Sequence, residues 1–359
     1  MMLIAIAALA AAYQLFAVVA CLVFKNQRAA APRRVTGGVS ILKPIRGRDP
    51  AMREAIASHT ALDGKYELLC GVRTGDPALD LITEFPRARL VECTTETPNG
   101  KVGALIDLAR AARFPTLIVN DSDIRVPLDY LARVTAPLAD PAVGLVTCLY
   151  RAEGSTLAAR FEGLGIATDF APSTLVARMV GVDEFAMGST MAFQRADLAR
   201  VGGFEAIADY LADDYQLGHR IHALGKKCVL SEAIVTTNLG GGWLDVWRHQ
   251  LRWARTIRVS KFWGYLGLPV TFATVWALAA AVGGHWMVAL AVLGARMLMA
   301  TAAGWYTLRS ADVLRLWLMI PVRDLFGAAV WMAGLFGQTV IWRGQELKLD
   351  HEGRIQPRP

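Results

Sequence analysis

Long apolar runs occupy both ends of this chain, and short ones alternate with polar helical stretches in its middle. The first, Met2 to Phe24, carries no charge and is long enough to cross a hydrocarbon core as a helix. A cleaved secretory segment is the competing reading, since the Ala-rich triplets resemble a cleavage site. The length of the run, and the lack of a basic residue ahead of it, argue for a retained anchor. From Val39 onward the apolar runs shorten to strand length: Val39 to Leu42, Tyr66 to Val72, Arg89 to Glu92, Thr116 to Val119 and Val143 to Thr147. Such alternation predicts an α/β domain around a mostly parallel, buried sheet. Ligands of these sheets collect at the carboxyl ends of the strands, and Lys43, Arg46, Asp76, Asp121 and Asp123 each follow a predicted strand closely.

The pattern changes again near Phe262. Trp263 to Val282 and His285 to Trp305, joined by Gly283-Gly284, predict a membrane hairpin flanked by Lys261 and Arg309. Arg296 falls inside the second arm, where a charge is costly unless it faces protein or water. It either lines a lipid-substrate cavity or marks a stretch lying at the interface. The last apolar block, Leu314 to Trp342, is broken by Pro321-Val322-Arg323-Asp324, which leaves open a kinked span, an interfacial piece plus a span, or a re-entrant pair. The expected organisation is an anchor over 1–24, a basic linker over 25–38, a catalytic domain over 39–240 and an interfacial amphipathic helix over 241–262. Membrane helices over 263–342 and a cytosolic tail over 343–359 complete it.

Composition agrees with a membrane protein. Hydrophobic residues make up 54% of the chain and the mean hydropathy is +0.35, too apolar for a purely soluble enzyme. Lys25, Arg28, Arg33 and Arg34 follow the first apolar segment and no Lys or Arg precedes it, so the positive-inside rule puts the polar body in the cytosol. The five cysteines are scattered and form no C-x-x-C pair, as expected of reduced thiols. The net charge of +7 accumulates beside apolar segments, which favours an anionic membrane surface over nucleic acid as the partner.

Three clusters carry candidate chemistry. Asp121 and Asp123 sit one residue apart where a strand ends; in extended backbone they would share a side and hold Mg²⁺ or Mn²⁺, with Ser122 facing away. A plain turn is the alternative. Asp213 and Asp214 open a helical pattern that stops at Gly225, either as cap and dipole residues or as a general base with its neighbour. Arg248, Arg252, Arg255 and Arg258 form a basic stripe beside Trp243, Trp247, Leu251 and Ala254. That pattern suits an interfacial helix, and it also suits a phosphate clamp with a Trp lining an acceptor pocket.

In this order, Lys43-Pro44, Asp76, Asp121-Ser122-Asp123, Gly188-Ser189-Thr190-Met191-Ala192, Asp213-Asp214 and Arg252-Trp253 resemble membrane glycosyltransferases of the GT-A fold. More narrowly, the segments 38–44, 121–126 and 251–258 are similar to the ceramide glucosyltransferase family and its bacterial relatives, including hopanoid-associated glycosyltransferases. The resemblance implies an inverting hexosyltransferase in a bacterial inner membrane, with a UDP-sugar donor, a lipid acceptor and a divalent cation. It implies donor-binding roles for Lys43, Asp76, Lys101, Asp121 and Asp123, with Asp121 and Asp123 also binding the metal. Asp214 would be the base with Asp213 beside it, and His249, Arg252 and Trp253 would serve acceptor and diphosphate. The family's box usually begins with Gln or Arg where this chain has His249, and the segment Asp169-Phe170-Ala171-Pro172 lacks a histidine that eukaryotic ceramide enzymes carry. A processive polysaccharide synthase and a non-catalytic nucleotide-binding scaffold are the competing functions.

Overall fold

The computed structural model describes residues 1–27 and 37–356, so Arg28, Arg33 and Arg34 of the expected basic linker lie outside the described residues. The chain forms two compact units: a sheet unit of residues 28–150, 182–238 and 354–359, and a helical unit of residues 1–27, 151–181 and 239–353.

The sheet unit is built on strands β1 (Val39–Pro44), β2 (Tyr66–Val72), β3 (Ala88–Glu92), β4 (Thr116–Val119), β5 (Val143–Gly154), β6 (Met191–Gln194) and β7 (Lys227–Leu239), in the spatial order β3-β2-β1-β4-β6-β5-β7. The first four neighbours run parallel, as the sequence predicts, while β6 is antiparallel to both β4 and β5. Neither β6 nor β7 was among the predicted strands. Strand alternation splits the apolar side chains into two layers. Ile41, Leu68, Cys70 and Ile118 pack on one face with Met52, Ile56 and Tyr130. Leu42, Leu69, Leu117 and Val119 pack on the other with Val102, Leu105, Leu217 and Ile221. Each fully buried aliphatic side chain of this kind contributes roughly 1.5–3 kcal/mol.

Register fixes the functional edge. Leu42 pairs with both Leu69 and Val119, and Val119 pairs with Met191 at the start of the antiparallel β6. The segments after β1, β2 and β4, and the one before β6, therefore emerge at one edge of the sheet.

The expected catalytic stretch 39–240 is interrupted. Residues 151–181 belong to the helical unit, where Leu157–Gly165, a π-helical turn Ile166–Phe170 and Ala171–Met179 follow one another without a break. Among the described residues, Met2–Asn26 and Trp286–Thr307 are long and apolar enough to cross a membrane. The first arm of the expected hairpin is not one straight helix: Phe262–Thr271 and Ala273–Val282 meet at a bend of 53°. The last apolar block resolves into a short helix, Ile320–Gly334, and a hairpin of Thr339–Trp342 with Gln345–Lys348, so the expected cytosolic tail is partly folded.

A break inside an apolar unit frees backbone groups that need partners. At this bend, Gln14 Nε2 donates to the carbonyl of Thr271 at 3.1 Å. Asp324 Oδ2 accepts from Thr274 N at 3.3 Å and from Thr274 Oγ1 at 2.6 Å. Asp324 is also the partner of Arg296, whose Nη2 lies 2.6 Å from Asp324 Oδ1 and 2.6 Å from Asp169 Oδ1, while its Nη1 donates to Thr168 O at 2.9 Å. Arg296 thus faces protein and ties three parts of the helical unit together.

Candidate active site

In the sheet unit the chain leaves β4 through Asn120, which is fully buried. Asn120 N donates to Leu42 O, and its side-chain amide donates to Ser189 O at 2.7 Å, Tyr130 Oη at 3.0 Å and Thr190 Oγ1 at 3.1 Å. His59 Nε2 stands 3.3 Å from Asn120 Oδ1. Burial, with the nearby Lys43 charge second, pushes the His59 imidazole down to about 3, so it serves as a neutral link. This cluster joins the exit of β4 to the segment that enters β6. Sequence reading singled out neither Tyr130 nor His59, because a lone buried Tyr or His carries no spacing signal.

Asp121 to Ile124 is a turn, closed by Ile124 N donating to Asp121 O at 3.3 Å, not the extended segment expected. The two carboxylates accordingly take different partners. Asp121 Oδ1 lies 2.8 Å from Lys101 Nζ, whereas Asp123 Oδ2 accepts from Thr237 Oγ1 and, at 3.4 Å, from Asn238 N. Ser122 Oγ donates to Asp49 Oδ2 at 2.8 Å. Lys43 lies beneath this turn, fully buried, and its Nζ donates to the carbonyls of Asp121 at 2.7 Å and Ile124 at 3.3 Å. Burial pulls the Lys43 ammonium down to about 8, against the pull of nearby Asp123, Asp121 and Asp49.

Asp213 and Asp214 occupy the first turn of the helix Asp213–Ala223, whose cap position is Ala212; neither carboxylate serves as the N-cap. Lys101 enters from another helix, Gly100–Ala111, which Asn99 caps by accepting from Lys101 N and Val102 N. Asn99 Nδ2 donates to Tyr210 O at 2.7 Å, fixing that helix start to the turn before Asp213. On the far side of that turn, Ile355 N donates to Asp209 O at 2.7 Å and Arg354 Nε to Tyr210 Oη at 3.1 Å.

Lys101 Nζ therefore reaches Asp213 Oδ2 at 3.0 Å as well as Asp121. Burial works against its charge, but Asp121, Asp213 and Asp214 together outweigh burial and hold its pKa above the ordinary lysine range. Asp214 accepts from Gly188 N at 2.8 Å and Tyr215 N at 2.8 Å. Its carboxyl is raised to about 6, by burial first and by Asp213 second, with Lys101 and the two amides opposing. Gly188 is the point where these groups converge. A Cβ there would stand 3.0 Å from Asp121 Oδ2, 3.3 Å from Lys101 Nζ and 3.4 Å from Asp214 Oδ2.

Asp76 lines a neighbouring cleft of about 200 Å³ with Ile45, Arg46, Val72, Arg73 and Gly100. Its carboxylate accepts from Gly47 N at 2.9 Å and from Ala78 N at 2.9 Å, which shapes the loops on either side. Among the described residues, no group of three or more His, Cys, Asp or Glu is arranged to hold a metal by itself. Asp121 and Asp123 offer hard oxygen donors suited to Mg²⁺ or Mn²⁺, ions that usually complete their shell with phosphate oxygens and water. The Lys101 ammonium beside Asp121 shows that this corner accepts positive charge.

The basic stripe lies in the helical unit, on the helix Trp243–Ser260. Half of it is committed to structure. Arg255 donates to the carbonyls of Phe336 and Thr339, and Arg258 to those of Leu335 and Gly337, satisfying groups just past the end of Ile320–Gly334. Arg248 is exposed and Arg252 half-buried. His249 Nδ1 lies 2.6 Å from Glu162 Oε1, and Trp253 packs edge-on against the His249 ring at 4.9 Å between centroids.

The model of glycosyl transferase family 21 matches residues 2–355. Ceramide glucosyltransferase 1 of Caenorhabditis elegans is 24% identical over 353 residues, covering 89% of this chain and 73% of that protein. Ceramide glucosyltransferase 3 of the same organism is 31% identical over 206 residues, covering 54% of this chain and 44% of that one. The mannosyltransferase PcManGT from Pyrobaculum calidifontis, solved with GDP-Man and Mn²⁺, superposes with a TM-score of 0.55 at 21% identity, covering 93% of this chain and 97% of its own. That likeness shows the GT-A type of fold.

Proposed function

The chain belongs to glycosyl transferase family 21 and is a glycosyltransferase related to the ceramide glucosyltransferases; on that premise we propose that it transfers glucose from UDP-glucose to the primary hydroxyl of ceramide. The observation that carries this reading is the convergence of Asp121, Lys101 and Asp214 on Gly188 at the carboxyl edge of the sheet. It brings a carboxylate with hard oxygen donors, a cation and a carboxyl raised to about 6 close to one point.

In this reading Asp76 contacts the uracil or ribose from the cleft it lines. Asp121 and Asp123 hold a divalent ion, which when bound neutralises charge on the departing diphosphate. Lys101 adds a second positive charge beside Asp121, and Lys43 keeps the Asp121 turn in place from below in place of contacting the donor. Asp214 removes the proton from the acceptor hydroxyl as the glycosidic bond to UDP breaks, giving inversion at the anomeric carbon. Asp213 raises the proton affinity of Asp214 and restrains Lys101. Two helices of spanning length support an integral membrane enzyme, and we place its sheet unit in the cytosol of a bacterial cell, at the inner membrane.

The test is incubation of the purified full chain with Mn²⁺ or Mg²⁺ and a panel of UDP-sugars. Ceramide, diacylglycerol and hopanoid acceptors are supplied in mixed micelles, with mass spectrometry of the lipid extract. Glucosylceramide from UDP-glucose is the expected product. A glycolipid made only from another acceptor overturns the ceramide assignment, and no glycolipid from any pair overturns the lipid acceptor.

A further inference from the structure

After Gly353 the chain returns to the sheet unit, beside the segment that leads into Asp213. That segment, Ala208 to Ala212, joins the turn Phe204–Ile207 to the helix Asp213–Ala223 and is irregular, so its backbone groups need partners from elsewhere. Ala208 O accepts from Asn99 N at 3.0 Å, Tyr210 O from Asn99 Nδ2 at 2.7 Å, and Asp209 O from Ile355 N at 2.7 Å. Tyr210 and Arg354 form an antiparallel bridge. Arg354 Nη1 lies 3.6 Å from Asp209 Oδ2, and its Nε donates to Tyr210 Oη at 3.1 Å. The Arg354 guanidinium stands 5.2 Å from the centre of the Tyr210 ring, and Arg220, from the helix that Asp213 opens, faces the same ring at 5.9 Å. Ile355 is buried. The segment is therefore held from two sides: by Asn99, which also caps the helix carrying Lys101, and by Arg354 with Ile355.

We propose that Arg354 and Ile355 are positioning residues for sugar transfer: they clamp residues 208–212 against Asn99 and so hold Asp214 in register with Lys101 and Gly188. This deepens the reading of Asp214 as the base and rests on it. Neither residue touches a reacting group. Only Leu211 and Ala212 separate Tyr210 from Asp213, so a shift at the clamp passes directly into the first turn of the helix. There Gly188 N meets Asp214 at 2.8 Å and Lys101 Nζ meets Asp213 at 3.0 Å. Tyr210 also packs in the core with Leu217 and Ile221, and Arg220 stays on its ring when Arg354 is replaced. Release of the clamp therefore displaces the helix start without unfolding the sheet unit.

Two variants remove the clamp in different ways. Ile355→Pro deletes the N–H that Asp209 O accepts, and Arg354→Ala deletes the guanidinium while keeping that backbone bond. With the purified full chain, Mn²⁺, UDP-glucose and ceramide in mixed micelles, each is expected to lower kcat by roughly 10–100-fold, the cost of displacing a reacting group by up to about one ångström. Acceptor KM, the Kd for UDP-glucose and the melting temperature in detergent are expected to stay at wild-type values. The deciding comparison is a cycle with Asp214→Asn, whose residual transfer is followed with radiolabelled donor. Arg354→Ala should cause no further loss in that background, because the carboxylate it positions is gone, whereas a merely structural role would lower both backgrounds by the same factor. Wild-type kcat in both variants, unfolding of both, a raised Kd for UDP-glucose, or an equal fractional loss in the Asp214→Asn background overturns the proposal. Failure of the wild type to glycosylate any lipid, or turnover of Asp214→Asn at the wild-type rate, overturns the underlying functional reading instead, and this inference with it.

Discussion

Lys101 Nζ lies 2.8 Å from Asp121 Oδ1 and thereby places a positive charge on the carboxylate assigned to the metal. The ammonium and a divalent ion compete for that carboxylate when no nucleotide is bound. Lys101→Met is therefore expected to bind Mn²⁺ more tightly than wild type in nucleotide-free calorimetry. Its kcat should fall by roughly 10–100-fold, since the diphosphate loses a charge-assisted contact. Weaker Mn²⁺ binding in the variant would show that Lys101 supports the ion.

Gly188→Ala adds one methyl group at the point where Asp121, Lys101 and Asp214 converge. The backbone there is not in the left-handed region, so the effect comes from crowding alone. Displacement of reacting groups by a fraction of an ångström to one ångström predicts a loss of activity on the order of 100-fold. The melting temperature in detergent should stay close to that of wild type. Wild-type kcat in this variant would mean that the three groups do not act at one site.

Asp214 has to be ionised to take a proton, and its carboxyl is raised to about 6 by burial and by Asp213. Activity is expected to fall as pH drops through about 6 and to level off above it, which a pH profile of kcat/KM measures directly. The sign for stability is opposite. A carboxyl raised in the folded state favours the fold when protonated, so this contribution is lost as pH rises from the ordinary carboxylate range through about 6. A profile flat from pH 5 to pH 8 would remove Asp214 from the role of base.

The bend at Phe272 depends on side chains from elsewhere in the helical unit. Asp324→Leu removes the partner of both Thr274 and Arg296 and leaves Arg296 with Asp169 as its remaining carboxylate. A loss of about 3 kcal/mol is expected, since a buried charge loses most of its compensation. Combining it with Arg296→Met should restore part of the loss. Thermal unfolding in detergent measures both, and equal melting temperatures for wild type and Asp324→Leu would contradict this account.

What the sequence revealed depended on whether a feature was local. The parallel strands were legible because each is a short apolar run, and the helix at Asp213 because its stop at Gly225 is written in the chain. The strand Met191–Gln194 was not, since four residues carry little periodicity and its place is set by pairing with Val119 and Thr147. Residues 157–179 read like any other helices of an α/β domain, and nothing local says that they pack with the helical unit. The stripe of Arg248, Arg252, Arg255 and Arg258 lies on a helix, as its spacing predicts, but carbonyls near residue 336 take two of its members. Asp121 and Asp123 stood out by spacing, yet the turn that sends them to Lys101 and Thr237 depends on Lys43 beneath it and on the ties of Asn120 to Ser189 and Thr190, all distant in sequence.

The most direct test of the site is the comparison of wild type with Asp214→Asn in the presence of Mn²⁺, UDP-glucose and ceramide, following UDP release and glycolipid together. Wild type is expected to release UDP and form glycolipid in equal amounts. The variant should bind UDP-glucose with an unchanged Kd and transfer sugar at least 100-fold more slowly, within the range for loss of a general base. Turnover of Asp214→Asn at the wild-type rate would contradict the assignment of the base and, with it, the mechanism built on this carboxylate.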